Sequence, residues 1–385
     1  AAEAAIDQAT DLNTMNQAKQ DASTLDRAMG TLKQAITNGE ATHGTVAYDE
    51  ADLDKKSTLD NAIKNGQAVT DATNGSNADL TTVKDLSQAI ENAQTGLNGD
   101  SNLEKAKEQA DQHIAKLPNL SDGQKDIAKQ NISNAQTTSD VQQAEQTAKT
   151  LNDDLGNLNQ AISAANSAKS TPNYTEADPD KQKALEGALS AAKTAKTSND
   201  PSAVEQATTD LKAAQSGLNG DSNLEKAKEQ ADQHIAKLPN LSDGQKDIAK
   251  QNISNAQTTS DVQQAEQTAK TLNDDLGNLN QAISDANSAK STPNYNEADP
   301  DKKKALDGAL SAAKTAKTSN DPSAVEQATK DLKAAQSGLN GLANTKKQAD
   351  QNIDQMTNLS DDQKKAAKDK ITSAKTTSDV QQAEQ

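Results

Sequence analysis

The sequence contains no cysteine, tryptophan or phenylalanine, and its 385 residues include only three tyrosines. Without cysteine, disulfide bonds and thiolate chemistry are excluded. One large core would lack the aromatic side chains that usually dominate burial in a protein interior. Several thin cores filled by Ala, Leu, Ile and Val remain feasible. Hydrophobic residues make up only 32% of the chain.

Positive charge is also scarce, because 40 basic residues face 57 acidic ones and the formal net charge is −17. Nucleic-acid binding needs clustered Lys and Arg, and Arg27 is the only arginine, so we predict no nucleic-acid partner. No run of 18 apolar residues occurs, so we predict no membrane insertion in this segment. Low hydrophobicity with high charge also fits a disordered chain. The helical periodicity described below decides against disorder.

Internal duplication is the strongest feature of the sequence. Residues 99–219 recur as residues 220–340, at an offset of 121 residues and with five differences. The differing pairs are Ala164/Asp285, Thr175/Asn296, Gln182/Lys303, Glu186/Asp307 and Thr209/Lys330. A diverged copy precedes these two, and a fourth begins at Gly341. Both ends fall inside a repeat, so we expect the sequence to be part of a longer protein. Such duplication is typical of a repeat array.

Each repeat carries several helix-start signals. Three pairs match the capping-box pattern, a hydroxyl followed three residues later by Glu or Gln: Ser101–Glu104, Ser121–Gln124 and Ser139–Gln142. In Asp178–Pro179 and Asp200–Pro201 an acidic N-cap precedes a proline at the first helical position. Between these starts lie turn sequences, and the apolar residues of each segment alternate at spacings of three and four. We predict helices throughout and no strands.

One predicted helix is too long for a single small bundle. It runs from about Asp140 to Ala168, or roughly 45 Å. Its first half should close one bundle, and its second half, after Gly156, should open the next. We predict that the helix continues through Gly156, because two bundles meet there and leave little room for a side chain. The other connection, at Leu218–Asn219–Gly220, could end a helix or permit a bend. The sequence therefore predicts an all-α fold of tandem three-helix bundles, joined by long shared helices into an elongated rod.

Two alternating segments are similar to known modules. The segment from Leu103 to Leu151 resembles the GA module, a three-helix bundle, and the segment from about Leu158 to Leu218 resembles the FIVAR module. We accordingly predict seven domains. They are a partial GA-like module (1–29), a FIVAR-like module (30–99), a GA-like bundle (100–156), a FIVAR-like bundle (157–219), a GA-like bundle (220–277), a FIVAR-like bundle (278–340) and a partial GA-like module (341–385).

Alternating GA and FIVAR modules resemble the repeat region of giant extracellular-matrix-binding surface proteins of staphylococci and related Gram-positive bacteria. The resemblance implies an extracellular, cell-wall-associated, monomeric rod segment of an adhesin, which acts as a stalk or spacer with weak adhesion to host matrix. Its expected partners are host extracellular-matrix or plasma proteins, or cell-wall components. The alternative is a multivalent host-protein-binding module of the albumin-binding type. Albumin-binding GA modules typically carry aromatic residues where this chain has Gly123 and Gln124, which counts against albumin.

The three tyrosines, Tyr48, Tyr174 and Tyr295, occupy one equivalent place in successive repeats, which we predict to be the loop before the fifth helix. Each could be a contact residue for a partner, because tyrosine is enriched in binding hot spots. Each could instead plug the end of an alanine-lined bundle with its hydroxyl exposed. We favour the plug.

Alternating carboxylates follow the second tyrosine, at Glu176, Asp178 and Asp180. The third repeat has the same pattern at Glu297, Asp299 and Asp301. Such carboxylates can hold calcium, but the glycine and distal glutamate of a calcium-binding loop are missing. Acidic residues at a helix N-terminus are already explained by the helix dipole. We therefore predict no metal site.

No constellation of catalytic residues is visible. His113 and His234 occupy equivalent helical positions and His43 is alone in a loop, so no histidine pair has metal-ligand spacing. A nucleophile elbow and a phosphate-cradling glycine loop are also absent from the sequence. We predict that the protein is not an enzyme and uses no cofactor.

Overall fold

The computed structural model describes residues 2–73, 75 and 77–385. These residues form helices and no strand. The helices are α1 (Ala2–Asp7), α2 (Leu12–Glu40), α3 (Val46–Asp49), α4 (Leu53–Thr70), α5 (Leu80–Thr95), α6 (Gly99–Ala115), α7 (Asp122–Asn134), α8 (Thr138–Ala168), α9 (Pro172–Thr175), α10 (Pro179–Ala195), α11 (Pro201–Ser216), α12 (Gly220–Ala236), α13 (Asp243–Asn255), α14 (Thr259–Ala289), α15 (Pro293–Asn296), α16 (Pro300–Ala316), α17 (Pro322–Ser337), α18 (Gly341–Gln355), α19 (Asp361–Ser373) and α20 (Thr377–Glu384). The all-α prediction is confirmed. Within the described residues, none of these helices has the length and apolar character needed to cross a membrane.

The chain divides into two compact units. One consists of Ala1–Ser167 with Ala184–Ser216, and the other of Ala168–Lys183 with Gly217–Gln385. In the first unit, α2, α4 and α5 pack around a core of aliphatic side chains. That core contains Leu32, Ala35, Ile36, Leu59, Ala62, Ile63, Val83, Ile90 and Ala93. The largest side chains are Leu and Ile, as expected for a thin core without large aromatics.

The second unit shows the shared helix most clearly. Helix α14 packs on α12 and α13 through its first half and on α16 and α17 through its second half. One continuous core runs from Ala231 to Leu332 across both bundles. Helices α18, α19 and α20 form a further small bundle around Ile353 and Ile371. Three-helix bundles joined by a long shared helix are therefore confirmed.

The long helices pass through their glycines without a break. Helix α8 contains Gly156 and helix α14 contains Gly277, and each helix is 31 residues long. Buried residues lie on both sides of each glycine, including Leu155 and Leu158 in α8. The predicted continuity through Gly156 is confirmed, because the apolar stripe is buried along its whole length.

The helix starts are partly as predicted. Helix α7 begins with the Ser121–Gln124 capping box, and α10 and α11 begin at the predicted prolines. The predicted capping box at Ser101–Glu104 is wrong, because α6 already begins at Gly99. The box at Ser139 is also wrong. Thr137 Oγ1 accepts from the Asp140 N–H at 3.0 Å, and the Thr137 N–H donates to Asp140 at 3.1 Å, so an aspartate closes this box.

Candidate functional site: the joints between bundles

Each FIVAR-like bundle is followed by a GA-like bundle at an Asn–Gly dipeptide, and we call this connection the Asn–Gly joint. It occurs at Asn98–Gly99, Asn219–Gly220 and Asn340–Gly341. Gly220 is the first residue of α12 and is buried against the short helix α9. A Cβ atom there would lie 2.4 Å from the carbonyl oxygen of Pro172 and 2.5 Å from that of Asn173. The glycine therefore permits close backbone contact and is not a free hinge.

The other two copies of the Asn–Gly joint are packed in the same way. A Cβ on Gly99 would lie 2.2 Å from the Val46 carbonyl oxygen, and one on Gly341 would lie 2.1 Å from that of Asn294. Real side chains do not tolerate such distances to backbone atoms. Of the two possibilities that the sequence left open, a helix boundary and a bend, the structure has the helix boundary.

An aspartate closes each Asn–Gly joint with three hydrogen bonds. The Asp178 N–H donates to Asn219 Oδ1 at 3.0 Å, and Asn219 Nδ2 donates back to Asp178 Oδ2 at 2.7 Å. Asn223 Nδ2 donates to the other carboxylate oxygen at 3.0 Å. The equivalent sets are Asp52 with Asn98 and Asn102, and Asp299 with Asn340 and Asn344. The amide donors lower the pKa of Asp178 below its ordinary value.

A glutamate of the same segment reaches the third helix of the following bundle. Glu176 Oε2 accepts from the Thr259 N–H at 3.0 Å and from Thr259 Oγ1 at 2.6 Å, at the first turn of α14. Glu50 makes the same two bonds to Thr138, at 3.1 and 2.6 Å. A carboxylate there satisfies an unpaired N–H group and complements the helix dipole. One bundle therefore caps a helix of the next.

Glu176 and Asp178 are two of the alternating carboxylates considered above as possible calcium ligands. In the structure Asp178 accepts from the side-chain amides of Asn219 and Asn223, and Glu176 accepts from the backbone and hydroxyl of Thr259. Among residues 2–73, 75 and 77–385, no three His, Asp or Glu residues are grouped so that they could hold a metal ion. Asp180 lies in the exposed first turn of α10.

The second kind of connection is the shared-helix joint, formed by α8 and by α14. Beside Gly156, Asn119 Nδ2 donates to the Asn152 carbonyl oxygen at 2.9 Å, and the Asn119 N–H donates to Asn152 Oδ1 at 2.9 Å. A Cβ on Gly156 would lie 2.8 Å from Asn119 Nδ2. The predicted lack of room for a side chain at Gly156 is confirmed, but its cause is different. The space is taken by a side chain of the loop before α7 and not by the next bundle.

A buried glutamine adds a direct contact across the shared-helix joint. Gln124 is 5% exposed, and its Nε2 donates to the carbonyl oxygens of Ser198 at 2.7 Å and Lys196 at 3.2 Å, just beyond the end of α10. Gln245 makes the same contacts with Ser319 and Lys317. Carbonyls at a helix C-terminus otherwise lack partners. Gln124 is therefore covered by the neighbouring bundle.

The three tyrosines each lie in the four-residue helix beside an Asn–Gly joint, where the sequence predicted a loop. Tyr48 is half-buried against the core of its bundle. Its hydroxyl donates to Asp60 at 2.9 Å, and His43 Nε2 lies 2.9 Å from the other oxygen of Asp60. Burial is the main cause of a raised pKa of Tyr48, and the hydrogen bond to Asp60 raises that pKa further. The structure therefore places His43 beside Tyr48, a neighbourhood that sequence reasoning missed.

Tyr295 repeats this arrangement in the second unit. It is half-buried against the core, its hydroxyl lies 3.2 Å from Asp307, and Lys290 Nζ lies 2.8 Å from the same carboxylate. Tyr174 is also half-buried, with Lys169 Nζ at 5.6 Å from its ring centroid. The recurrence of an acidic residue twelve positions after each tyrosine was the sequence signal for this contact. The plug role and the contact role of the tyrosines both stay predictions.

The remaining histidines are surface residues paired with a glutamate. His113 Nδ1 lies 2.8 Å from Glu145 Oε1, which Lys149 also contacts at 2.5 Å. The hydrogen bond from Lys149 is the largest cause of a lowered pKa of Glu145, and the contact with His113 lowers that pKa further. His234 and Glu266 repeat the pair. In each pair the histidine is exposed and the glutamate is largely covered.

Family models match nearly the whole chain. The GA module matches residues 100–154, 221–275 and 340–385, and the FIVAR domain matches residues 28–98, 154–219 and 275–340. The extracellular matrix-binding protein EbhA of Staphylococcus aureus strain Mu50 is 36% identical over 99% of this chain. The extracellular matrix-binding protein ebh of strain USA300 is 33% identical over the same share. The chain spans 6% and 4% of these two relatives, respectively.

A solved structure has a similar fold. It is the crystal structure of a domain of EbhA from Staphylococcus aureus, with a TM-score of 0.57 and 28% identity. The match covers 63% of this chain and 98% of that domain. Together with the two family models, this places the chain among proteins of known architecture. The chain belongs to the family of repeat proteins built from alternating GA modules and FIVAR domains.

Proposed function

We propose that this chain is a non-enzymatic spacer segment of a bacterial surface adhesin, in which both kinds of joint hold neighbouring bundles of the same compact unit in a fixed orientation. The observation that carries the proposal is the packing of the Asn–Gly joint. There the glycine allows no side chain, and the carboxylates of Asp178 and Glu176 accept hydrogen bonds from Asn223 and Thr259 of the following bundle. A joint closed by backbone contact resists bending more than a polar linker does.

The length of the connections supports the same function. Helix α5 ends at Thr95 and α6 begins at Gly99, so three residues separate one bundle from the next. Helices α17 and α18 are separated in the same way. A Gly- or Ser-rich linker would behave as a random coil, and its ends would approach each other freely. Short, hydrogen-bonded connections of this kind suit a segment that must keep a binding region away from the cell surface.

The names of the relatives support the proposed location and partners. Those proteins are described as extracellular matrix-binding, and we extend this description to the chain as a hypothesis. We propose an extracellular, cell-wall-associated position on a Gram-positive bacterium. The proposed partners are host matrix or plasma proteins, or cell-wall components.

Small-angle X-ray scattering of the whole chain tests the spacer function. The elongated rod predicted from the sequence should advance roughly 50–60 Å for each 121-residue repeat. A single globule of 385 residues would have a radius of gyration of about 21 Å. We expect a value well above that of the globule. A value near that of the globule would contradict the spacer.

A second candidate is a multivalent host-protein-binding module, which the matrix-binding names of the relatives favour. Several weak sites on one chain gain apparent affinity through repetition. The test is capture of host plasma and matrix proteins on the immobilised full chain. If the tyrosines are contact residues, a variant with Leu in place of Tyr48, Tyr174 and Tyr295 should no longer capture these partners. Capture of no partner would favour the spacer.

A further inference from the structure

The Asn–Gly joint retains a chemically labile dipeptide because packing requires both of its residues. Gly220 cannot carry a side chain, since a Cβ would lie within 2.5 Å of two backbone oxygens. Asn219 must both accept from the Asp178 N–H and donate to the Asp178 carboxylate. Aspartate lacks the donor, and glutamine is one methylene longer. The pair therefore recurs at Asn98–Gly99, Asn219–Gly220 and Asn340–Gly341.

An asparagine followed by glycine is prone to deamidation, because glycine leaves the next backbone nitrogen unshielded. After losing its proton to solvent, the Gly220 nitrogen attacks Cγ of Asn219. A bond from nitrogen to Cγ forms, the bond from Cγ to Nδ2 breaks, and the amide nitrogen takes up a proton from solvent and leaves as ammonia. Water then opens the resulting succinimide at either carbonyl and leaves aspartate or isoaspartate. Solvent water is the only co-reactant.

The closed joint opposes the first step of this reaction. To reach the Gly220 nitrogen, the Asn219 side chain must rotate away from Asp178 and break both hydrogen bonds. Gly220 is also fixed as the first residue of α12. The reaction therefore proceeds from the locally opened state, and its rate follows the population of that state.

Deamidation also prevents the joint from closing again. A carboxylate in place of the Asn219 amide has no donor and would face the Asp178 carboxylate across a distance that is now 2.7 Å. Two carboxylates at that separation repel each other when both are ionised. Isoaspartate would also add one carbon to the backbone next to Gly220, which is already packed against backbone oxygens. The chemical change is irreversible.

We propose that Asn98, Asn219 and Asn340 are deamidation sites, which the closed Asn–Gly joint protects and whose reaction permanently loosens the joint between two bundles. The three sites lie in one polypeptide. Each is therefore an internal control for the others.

The first test is peptide mapping by mass spectrometry after timed incubation of the full chain in mildly alkaline buffer. In the unmodified chain, each of the three asparagines should deamidate at least about tenfold more slowly than in an unstructured peptide of the same local sequence. In Asp178→Ala, Asn219 should react at least about tenfold faster than Asn98 and Asn340 of the same molecule. A tenfold change corresponds to about 1.4 kcal/mol of lost protection. Peptide-like rates in the unmodified chain, or equal rates at all three sites in the variant, would overturn the proposal.

The second test measures the consequence with a variant that imitates the product. Asn219→Asp should increase limited proteolysis around residue 219 at least about tenfold. Gln160→Glu, which adds the same charge on the exposed face of α8, should leave that cleavage unchanged. Circular dichroism would confirm that both variants keep their helices. If Asn219→Asp were as resistant as Gln160→Glu, deamidation would not loosen the joint, and the proposal would fail.

Discussion

The two kinds of joint couple neighbouring bundles by different means. The shared-helix joint uses one uninterrupted backbone, supported by neutral amides such as Asn119, Asn152 and Gln124. The Asn–Gly joint uses two helices that meet at a glycine, closed by the carboxylates of Glu176 and Asp178. The first depends on helix continuity, and the second on close approach and ionised side chains. Changes that affect one joint should therefore leave the other intact.

The largest effect should come from breaking the shared helix. Gly156→Pro removes a helical N–H and introduces a clash with the preceding turn, which costs about 3 kcal/mol or more. We expect amide hydrogen exchange in α8 to accelerate strongly around residue 156. Gly156→Ala is the control. Its gain in helix propensity, about 1 kcal/mol, is opposed by the contact with Asn119 Nδ2, so a small net change should result. Unchanged protection in the proline variant would contradict the shared helix.

A smaller effect should follow from adding one carbon at the Asn–Gly joint. Gly220→Ala places Cβ against two backbone oxygens, and overpacking of this kind typically costs about 1–3 kcal/mol. Gly308→Ala is the matched control, because Gly308 lies inside α16 with nothing within 4 Å of the added carbon. That control should stabilise its helix by up to about 1 kcal/mol. Thermal unfolding should separate the two variants in opposite directions, and a stabilised Gly220→Ala would refute the close contact.

Removing the charge of the capping glutamate should have a moderate effect. Glu176→Gln keeps the size of the side chain but weakens the charge-assisted bonds to Thr259, at a cost of about 1 kcal/mol. Hydrogen exchange at the first turn of α14 should report the loss. Glu229→Gln on the exposed face of α12 removes an equal charge and should leave that turn unchanged. Equal protection of the turn in both variants would show that Glu176 does not cap α14.

Acid should produce the smallest effect, and it should weaken the Asn–Gly joints before the shared-helix joints. Amide donors lower the pKa of Asp52, Asp178 and Asp299 below the ordinary 3.8, so the stabilisation is present above that value and is lost as pH falls through the lower folded-state pKa. At the shared-helix joint, burial raises the pKa of Asp154, so protonation there favours the folded state. Burial also raises the pKa of Asp275 beside Gly277. As pH falls below 4, hydrogen exchange should show the Gly220 amide losing protection before the Gly277 amide, and the reverse order would contradict this comparison.

The helices could be predicted from sequence because their signals are local. A period of 3.6 residues and the prolines at residues 179 and 201 identified the helices and several of their starts. Unbroken periodicity across Gly156 was enough to predict the shared helix. The capping box at Thr137 was missed because hydroxyl residues crowd that turn and its acceptor is an aspartate.

The joints could not be predicted because their contacts are distant in sequence. Glu176 and Thr259 are 83 residues apart, and Gln124 and Ser198 are 74 residues apart. No local pattern distinguishes a glutamate that caps another bundle from one that faces solvent. The close approach at Gly220 depends on the position of Pro172, which only the folded bundle fixes. The carboxylates that follow Tyr48, Tyr174 and Tyr295 recur in each repeat, but the helix dipole already explains acidic residues at a helix N-terminus, so their recurrence did not reveal the joint.

The most direct test of the coupled bundles is a distance measurement across one Asn–Gly joint. The chain has no cysteine, so Lys64→Cys in α4 and Gln130→Cys in α7 would give two unique spin-label sites on exposed positions of the first unit. Pulsed electron paramagnetic resonance should yield one narrow distance distribution, which Gly99→Ala broadens. A distribution that is already broad in the otherwise unchanged chain would contradict a closed joint and would favour loosely tethered bundles.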